Sequence, residues 1–203
     1  LTIPGLVVAA PADEAELVHM TATAAAFDDG PFVYRFPRGE GVGTELPAEG
    51  VPLPIGKGRV VREGSTVALL SYGTRLNDTL KAADKLAARG FNPTVIDARF
   101  AKPLDRDLID RTVQSHDALL TIEEGASGGF GAAVLTHLAD SGALDRGFKI
   151  RTLTMPDRFI DHMSPADQLA AAGLDPDTIA CRALQLLGMD EAEAVLTISA
   201  LSA

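Results

Sequence analysis

The stretch from Thr66 to Phe100 constrains the fold more than any other part of the chain. It begins with an apolar run, continues with apolar residues at helical spacing, and ends with a second apolar run. Two such runs on either side of an amphipathic helix predict parallel strands joined by a right-handed crossover. We therefore expect an α/β domain with a mostly parallel sheet. Gly90, just past the helix, suits a left-handed C-terminal cap.

The residues that follow this unit continue the same pattern. Apolar runs at 118–124 and 149–156 predict two more core strands, and a run of helices ends the chain. Before the Thr66–Phe100 unit, the segment Gly58–Gly64 predicts an antiparallel edge strand that turns directly into the first core strand. The helix at the centre of the Thr66–Phe100 unit is expected to bury apolar residues spaced three or four apart. These are Leu76, Leu80, Ala83, Leu86 and Ala87.

The first 35 residues predict a separate strand–helix–strand unit, with Asp13 opening the helix. Residues 37–58 are rich in Gly and Pro and show no period, which is typical of a linker. We expect three parts: the end of one α/β domain at 1–40, a linker at 41–56, and a second domain at 57–203. The chain begins without Met on an apparent core strand, so we expect an upstream part to be missing.

Composition excludes several classes of protein. The formal net charge of −10 and the pI near 4.8 disfavour nucleic-acid binding. The single Cys181 cannot form an internal disulfide or a cysteine metal cluster. The sequence shows neither a secretory signal nor about 18 consecutive apolar residues, so we predict a cytoplasmic protein without a membrane partner.

Several candidate residues have a structural explanation beside a functional one. The turn Gly125–Gly131 could hold a phosphate at a helix N-terminus, but glycines there also allow tight packing of the helix. Glu123 and Glu124 end a core strand, where open α/β sheets bind ligands, yet adjacent strand residues point to opposite faces. His162 has functional potential because it lies in a polar loop. We assign no catalytic, cofactor-binding or metal-ligating residue.

The string YRFPRGEG, Tyr34 to Gly41, is the most specific local feature. Pro37 stiffens the turn and Gly39 allows close approach to the backbone. A guanidinium on such a turn suits bidentate binding of a phosphate or carboxylate, although an interdomain salt bridge explains it equally well. The candidates are Arg38 and, second, Arg35.

The order of the motifs is similar to that in a known family. The strings DDGPFVYRFPRG, LPIGKGRVVREG, DARFAKPLD, TIEEGASGGFG and MPDRFIDH resemble the 1-deoxy-D-xylulose-5-phosphate synthases, which are transketolase-like thiamine diphosphate enzymes. The resemblance extends to about Leu187. It departs from the family at Met163, where Gly usually follows the His.

The resemblance implies a pyrimidine-binding domain ending near residue 40 and a transketolase C-terminal domain after it. It implies a homodimeric transferase that condenses pyruvate with glyceraldehyde 3-phosphate for isoprenoid, thiamine and pyridoxal synthesis, with Arg38 on the substrate phosphate. Thiamine diphosphate and Mg²⁺ would be held by an N-terminal part of the polypeptide upstream of Leu1, so these 203 residues alone are expected to bind no cofactor and to be inactive. The alternatives are another transketolase-like enzyme, such as a 2-oxo acid dehydrogenase β subunit, and a non-catalytic dimerisation module.

Overall fold

The computed structural model describes residues 1–200. The elements, in chain order, are β1 (Val7–Ala9), α1 (Glu14–Ala25), β2 (Phe32–Tyr34), β3 (Arg59–Arg62), β4 (Ala68–Tyr72), α2 (Arg75–Ala87), β5 (Thr94–Asp97), β6 (Phe100–Lys102), α3 (Arg106–Ser115), β7 (Ala118–Glu123), α4 (Phe130–Asp140), a short 3-10 helix (Ala143–Arg146), β8 (Lys149–Leu153), α5 (Pro165–Ala172), α6 (Pro176–Leu187) and α7 (Glu191–Ser199).

Five strands form the larger sheet, in the order β3-β5-β4-β7-β8. Strands β5, β4, β7 and β8 run parallel, and β3 pairs antiparallel with β5 at the edge. Every residue of β4, β5 and β7 is buried, as expected for a sheet covered on both faces. The predicted α/β fold with one antiparallel edge strand is confirmed.

The predicted hairpin between the edge strand and the first core strand is wrong. Strand β3 pairs with β5 rather than with β4, its neighbour in sequence. Both edges of β4 are already occupied by β5 and β7, so the outer edge of β5 is where β3 can pair. The connection passes so close to the loop before β5 that a Cβ on Gly64 would lie 2.4 Å from the carbonyl oxygen of Asn92.

Helices cover both faces of the five-stranded sheet. On one face, the side chains of Leu69 and Leu120 pack against α2 and α6, which in turn contacts α7. On the other, Leu70 and Leu119 pack against α3 and α4. Successive side chains along β4 and β7 therefore point alternately into two separate cores, and the domain has three layers.

Local signals predict the helix ends well. The side chains of Asp13, Asp105 and Ser164 each accept a hydrogen bond from a backbone N–H in the first turn of their helices. Gly90 has a φ of 84°, as predicted. On α2 the prediction for Ala87 is wrong, because it is exposed and Ala82 is buried in its place. No helix within residues 1–200 is both long and apolar enough to cross a membrane.

A smaller sheet of three strands, in the order β2-β1-β6, lies at the amino-terminal end of the chain. Strands β1 and β2 are parallel, as the strand–helix–strand prediction requires, but β6 was not predicted. It comes from the segment after β5, where Arg99 adopts a φ of 56° and redirects the chain. One strand of the second predicted domain therefore completes the sheet of the first. The boundaries near residues 40 and 56 stay predictions.

Buried ion pairs add a second link between the two sheets. Glu16 of α1 is 4 % exposed and receives two hydrogen bonds of 2.8 Å from the guanidinium of Arg99. Arg59 of β3 bridges Glu16 and Asp97 at 2.9 and 3.1 Å. Burial raises the pKa of Asp97 to about 6, although the positive charge of Arg59 opposes the shift. These contacts fix α1 against the edge of the larger sheet.

The Gly- and Pro-rich segment 37–58 contains no helix or strand, yet it is fastened along α1. The carboxylate of Glu14 accepts hydrogen bonds from the backbone N–H groups of Val42, Gly43 and Thr44. Further along, Thr23 accepts one from the backbone N–H of Leu53 at 2.7 Å. Composition predicted a linker without indicating whether it is ordered, and side chains of α1 hold this segment in place.

Candidate functional site

The turn that carries the two candidate arginines follows β2 at its carboxyl end. The backbone N–H of Arg35 still pairs with the carbonyl of Ala9, which extends the ladder of β1 and β2 by one residue. The chain then leaves the sheet at Phe36, and Pro37 limits the backbone of the turn. Arg38 is therefore held a few residues beyond a paired strand.

Arg35 is fixed against the larger sheet. Its Nη1 donates to the backbone carbonyl of Glu124 at 2.5 Å, and its guanidinium carbon lies 5.3 Å from the ring centroid of Tyr72. Tyr72 in turn stacks on Phe130 at 4.9 Å, and burial raises the pKa of its hydroxyl to about 12. The geometry makes Arg35 a contact between the turn and the larger sheet, formed with a backbone carbonyl and an aromatic ring rather than with a carboxylate.

Arg38 is placed differently. It is exposed and makes no hydrogen bond or ion pair with any side chain or backbone group of residues 1–200. It lines two cavities, of about 530 and 440 Å³, that also share Pro37 and Arg75. Its guanidinium therefore keeps its donors available to a ligand.

The two cavities differ in charge. The 530 Å³ cavity is lined by the acidic residues Asp13, Glu14, Glu40 and Asp78 as well as by Arg38 and Arg75. The 440 Å³ cavity is lined by Arg38, Arg75 and Arg158 with a single carboxylate, Glu124. An anion is therefore better accommodated in the second cavity.

The glycine-rich turn Gly125–Gly131 is not free to bind an anion. The carboxylate of Glu123 accepts hydrogen bonds from the backbone N–H groups of Phe130 at 3.1 Å and Gly131 at 2.8 Å. These are the donors that a phosphate at the start of α4 would need, and Glu123 is only 2 % exposed. The diphosphate of a thiamine cofactor does not fit this turn, so no step can be assigned to such a cofactor here.

The other predicted candidates are dispersed. Glu124 is half exposed, and one of its carboxylate oxygens lies 3.4 Å from Nε of Arg75. His162 is exposed, in the loop between β8 and α5. A further cavity of about 550 Å³, lined by His116 among others, lies at the amino ends of β7 and β8, far from the arginine turn.

Sequence reasoning missed Arg75 and Arg158. Arg75 directly follows Thr74 at the start of α2, and α2 begins at the carboxyl end of β4. That position is where open α/β sheets place ligand contacts, so this signal could have identified it. Arg158 lies in the loop after β8, and its place beside Arg38 depends on how that loop folds back.

Comparison with known proteins identifies the class that this fold and site define. Residues 56–179 match the family described as "Transketolase, C-terminal domain", which is more than half of the chain. The chain belongs to the transketolase C-terminal domain family, and the fold expected from the sequence is confirmed.

A solved structure is similar over a longer stretch. It is described as "Split gene transketolase, inactive beta4 tetramer", with 27 % sequence identity and a TM-score of 0.80. The match covers 92 % of this chain and 59 % of that one, so this chain spans well under two thirds of the relative's length. The similarity therefore includes the amino-terminal sheet as well as the family domain.

Proposed function

We propose that the chain is the C-terminal part of a transketolase-type transferase of the 1-deoxy-D-xylulose-5-phosphate synthase kind. The family match supports the transketolase class, and the order of the motifs around Arg38 supports the narrower assignment. The reaction would be the thiamine-diphosphate-dependent condensation of pyruvate with glyceraldehyde 3-phosphate. Residues for the cofactor and Mg²⁺ would come from another segment or chain.

Arg38 carries this proposal. It is exposed at the border of a cavity with three arginines, and it is not paired within the described residues. A guanidinium with free donors can form two parallel hydrogen bonds to a phosphate, whereas one already held in a salt bridge cannot. In the proposed enzyme, Arg38 binds the phosphate of the aldehyde substrate. The carbonyl group of that substrate would lie at the cofactor, away from Arg38.

The similar split transketolase suggests how the rest of the site is supplied. That protein is described as an inactive tetramer of its β chain. By analogy, the 203 residues here would become active only with a cofactor-binding polypeptide, either a preceding part of the same chain or a separate subunit. The assembly would be at least dimeric.

The test is the steady-state rate of the complete enzyme with Arg38→Ala. Loss of one charge-assisted contact should weaken the use of the phosphorylated aldehyde by roughly 2–3 kcal/mol and leave the KM for pyruvate nearly unchanged. Arg106→Ala is the matched control, because Arg106 is an exposed arginine on α3, away from this cavity.

Three results would contradict the proposal. An unchanged kcat/KM for the aldehyde would remove Arg38 from the substrate site. Product formation by the 203 residues without the cofactor-binding polypeptide would show that the chain supplies the whole site itself. If the complete protein instead uses a 2-oxo acid and lipoamide, the dehydrogenase alternative holds.

A further inference from the structure

We propose that Arg75 and Arg158 complete an anion-binding cavity with Arg38, and that Arg75 makes this cavity select a doubly charged phosphate ester over a singly charged carboxylate. The inference rests on the proposed function, since it assigns the phosphate of the same substrate to the 440 Å³ cavity. It adds two residues that the sequence motifs do not indicate.

Arg75 is an arginine that the fold buries without using all of its donors. Its side chain is 10 % exposed, and its Nη1 donates to Asp78 at 2.6 Å. Its buried Nε has no hydrogen-bond partner among the described residues, because Oε2 of Glu124, 3.4 Å away, does not meet hydrogen-bond geometry. A buried unsatisfied donor on a cation is costly. Nε has less than 1 Å² of accessible surface, so Arg75 acts on the cavity that it lines through its positive charge.

Arg158 lies in the loop after β8 and lines the same cavity. It is exposed, and Nη2 donates to the backbone carbonyl of Ala171 at 3.0 Å, which steadies the side chain without neutralising it. No carboxylate of residues 1–200 forms a salt bridge with it. Both Arg158 and Arg38 therefore carry uncompensated positive charge.

The charge balance of the cavity favours a dianion. Three guanidinium groups face two carboxylates, because Glu124 lines the cavity and Asp78 pairs with Arg75 at 2.6 Å, so the formal charge stays positive and Arg38 and Arg158 remain unpaired. Arg75 is also the first residue of α2, so the positive end of that helix adds to the field. A phosphate monoester carries close to two negative charges at neutral pH, so it gains more from this field than a carboxylate and can pair with both unpaired guanidinium groups.

The experiment titrates the 203-residue chain with inorganic phosphate and, separately, with acetate, followed by NMR shifts of backbone amides. We expect phosphate to bind more tightly than acetate and to shift the amides of α2 and of the loop 156–164. Arg75→Gln should weaken phosphate binding about tenfold and remove most of the preference over acetate. Arg158→Gln, at an exposed position, should weaken it several-fold even if Arg75→Gln impairs folding.

The variants separate this inference from the proposed function. Arg106→Gln removes the same charge from α3 and should leave phosphate binding unchanged. If Arg38→Gln abolishes phosphate binding while Arg75→Gln and Arg158→Gln do not, the three-arginine cavity is refuted and the role of Arg38 stands. If phosphate does not bind, or acetate binds equally well, the inference is overturned, and the kinetics of Arg38→Ala decide the proposed function alone.

Discussion

Two turns of this molecule look alike in sequence and differ in what the fold does with them. The arginine turn, Tyr34–Gly41, and the glycine turn, Gly125–Gly131, both follow a strand at its carboxyl end and both contain glycines. Either could bind an anion. In the glycine turn the carboxylate of Glu123 occupies the backbone donors, whereas in the arginine turn Arg38 keeps its donors exposed.

The difference shows that a motif suited to anions is a site only if the protein leaves it vacant. Glu123 lies a few residues before the amides it binds, so a carboxylate from the preceding strand already occupies the donors of the glycine turn. The arginine turn has Glu40 nearby in sequence, yet no ion pair forms between Glu40 and Arg38. Three predictions test this contrast.

The largest effect is expected for Glu123→Ala. The change removes two charge-assisted hydrogen bonds and leaves the buried N–H groups of Phe130 and Gly131 without partners. The free energy of unfolding should fall by about 3 kcal/mol, measured by urea denaturation. Added sulfate should stabilise the variant more than the wild type, because the start of α4 becomes open to an anion.

The control for this change is the adjacent residue. Glu124→Ala removes a half-exposed carboxylate that makes only a long ion pair, so it should cost less than about 1 kcal/mol. Equal losses for the two variants would show that Glu123 does not have the structural role assigned to it.

A smaller difference in stability is expected when one glycine in each turn is replaced by alanine. A Cβ on Gly131 would lie 2.7 Å from Oγ1 of Thr121 and 2.9 Å from Cγ2 of Thr152, whereas one on Gly39 would meet no atom within 4 Å. Gly131→Ala should therefore lower the melting temperature, with a net cost of about 1–2 kcal/mol after the gain in helix propensity. Gly39→Ala should leave the melting temperature unchanged. A stable Gly131→Ala variant would show that α4 is not packed tightly on the sheet.

The smallest effect distinguishes the two arginines. Arg35→Ala removes the hydrogen bond to the carbonyl of Glu124 and the contact with Tyr72, and should reduce stability by about 1 kcal/mol. Arg38→Ala should change stability by less than about 0.5 kcal/mol, because Arg38 contacts no described group through a hydrogen bond or ion pair. Denaturation of both variants under one condition checks the order. The reverse order would mean that Arg38 serves the fold.

Much of this contrast lies beyond what local sequence can reveal. The strings around Arg35 and Arg38 predict that both residues lie on one rigid turn. They do not indicate which of the two faces the larger sheet. Arg35 donates a hydrogen bond to the backbone carbonyl of Glu124, 89 positions away in sequence. Arg75 and Arg158 are further examples, because they meet Arg38 only after β2, α2 and the loop after β8 have been brought to one edge.

The sequence by itself determined the crossover unit at Thr66–Phe100 and the helix start at Asp13. Each depends on residues close together in the chain, through periodicity, capping and turn chemistry. Tertiary structure alone decided that β3 pairs with β5, that β6 joins the amino-terminal sheet, and that Glu123 fills the start of α4. Those outcomes depend on which hydrogen-bonding edges and donors remain free once the core has packed, and that is set by contacts between distant segments.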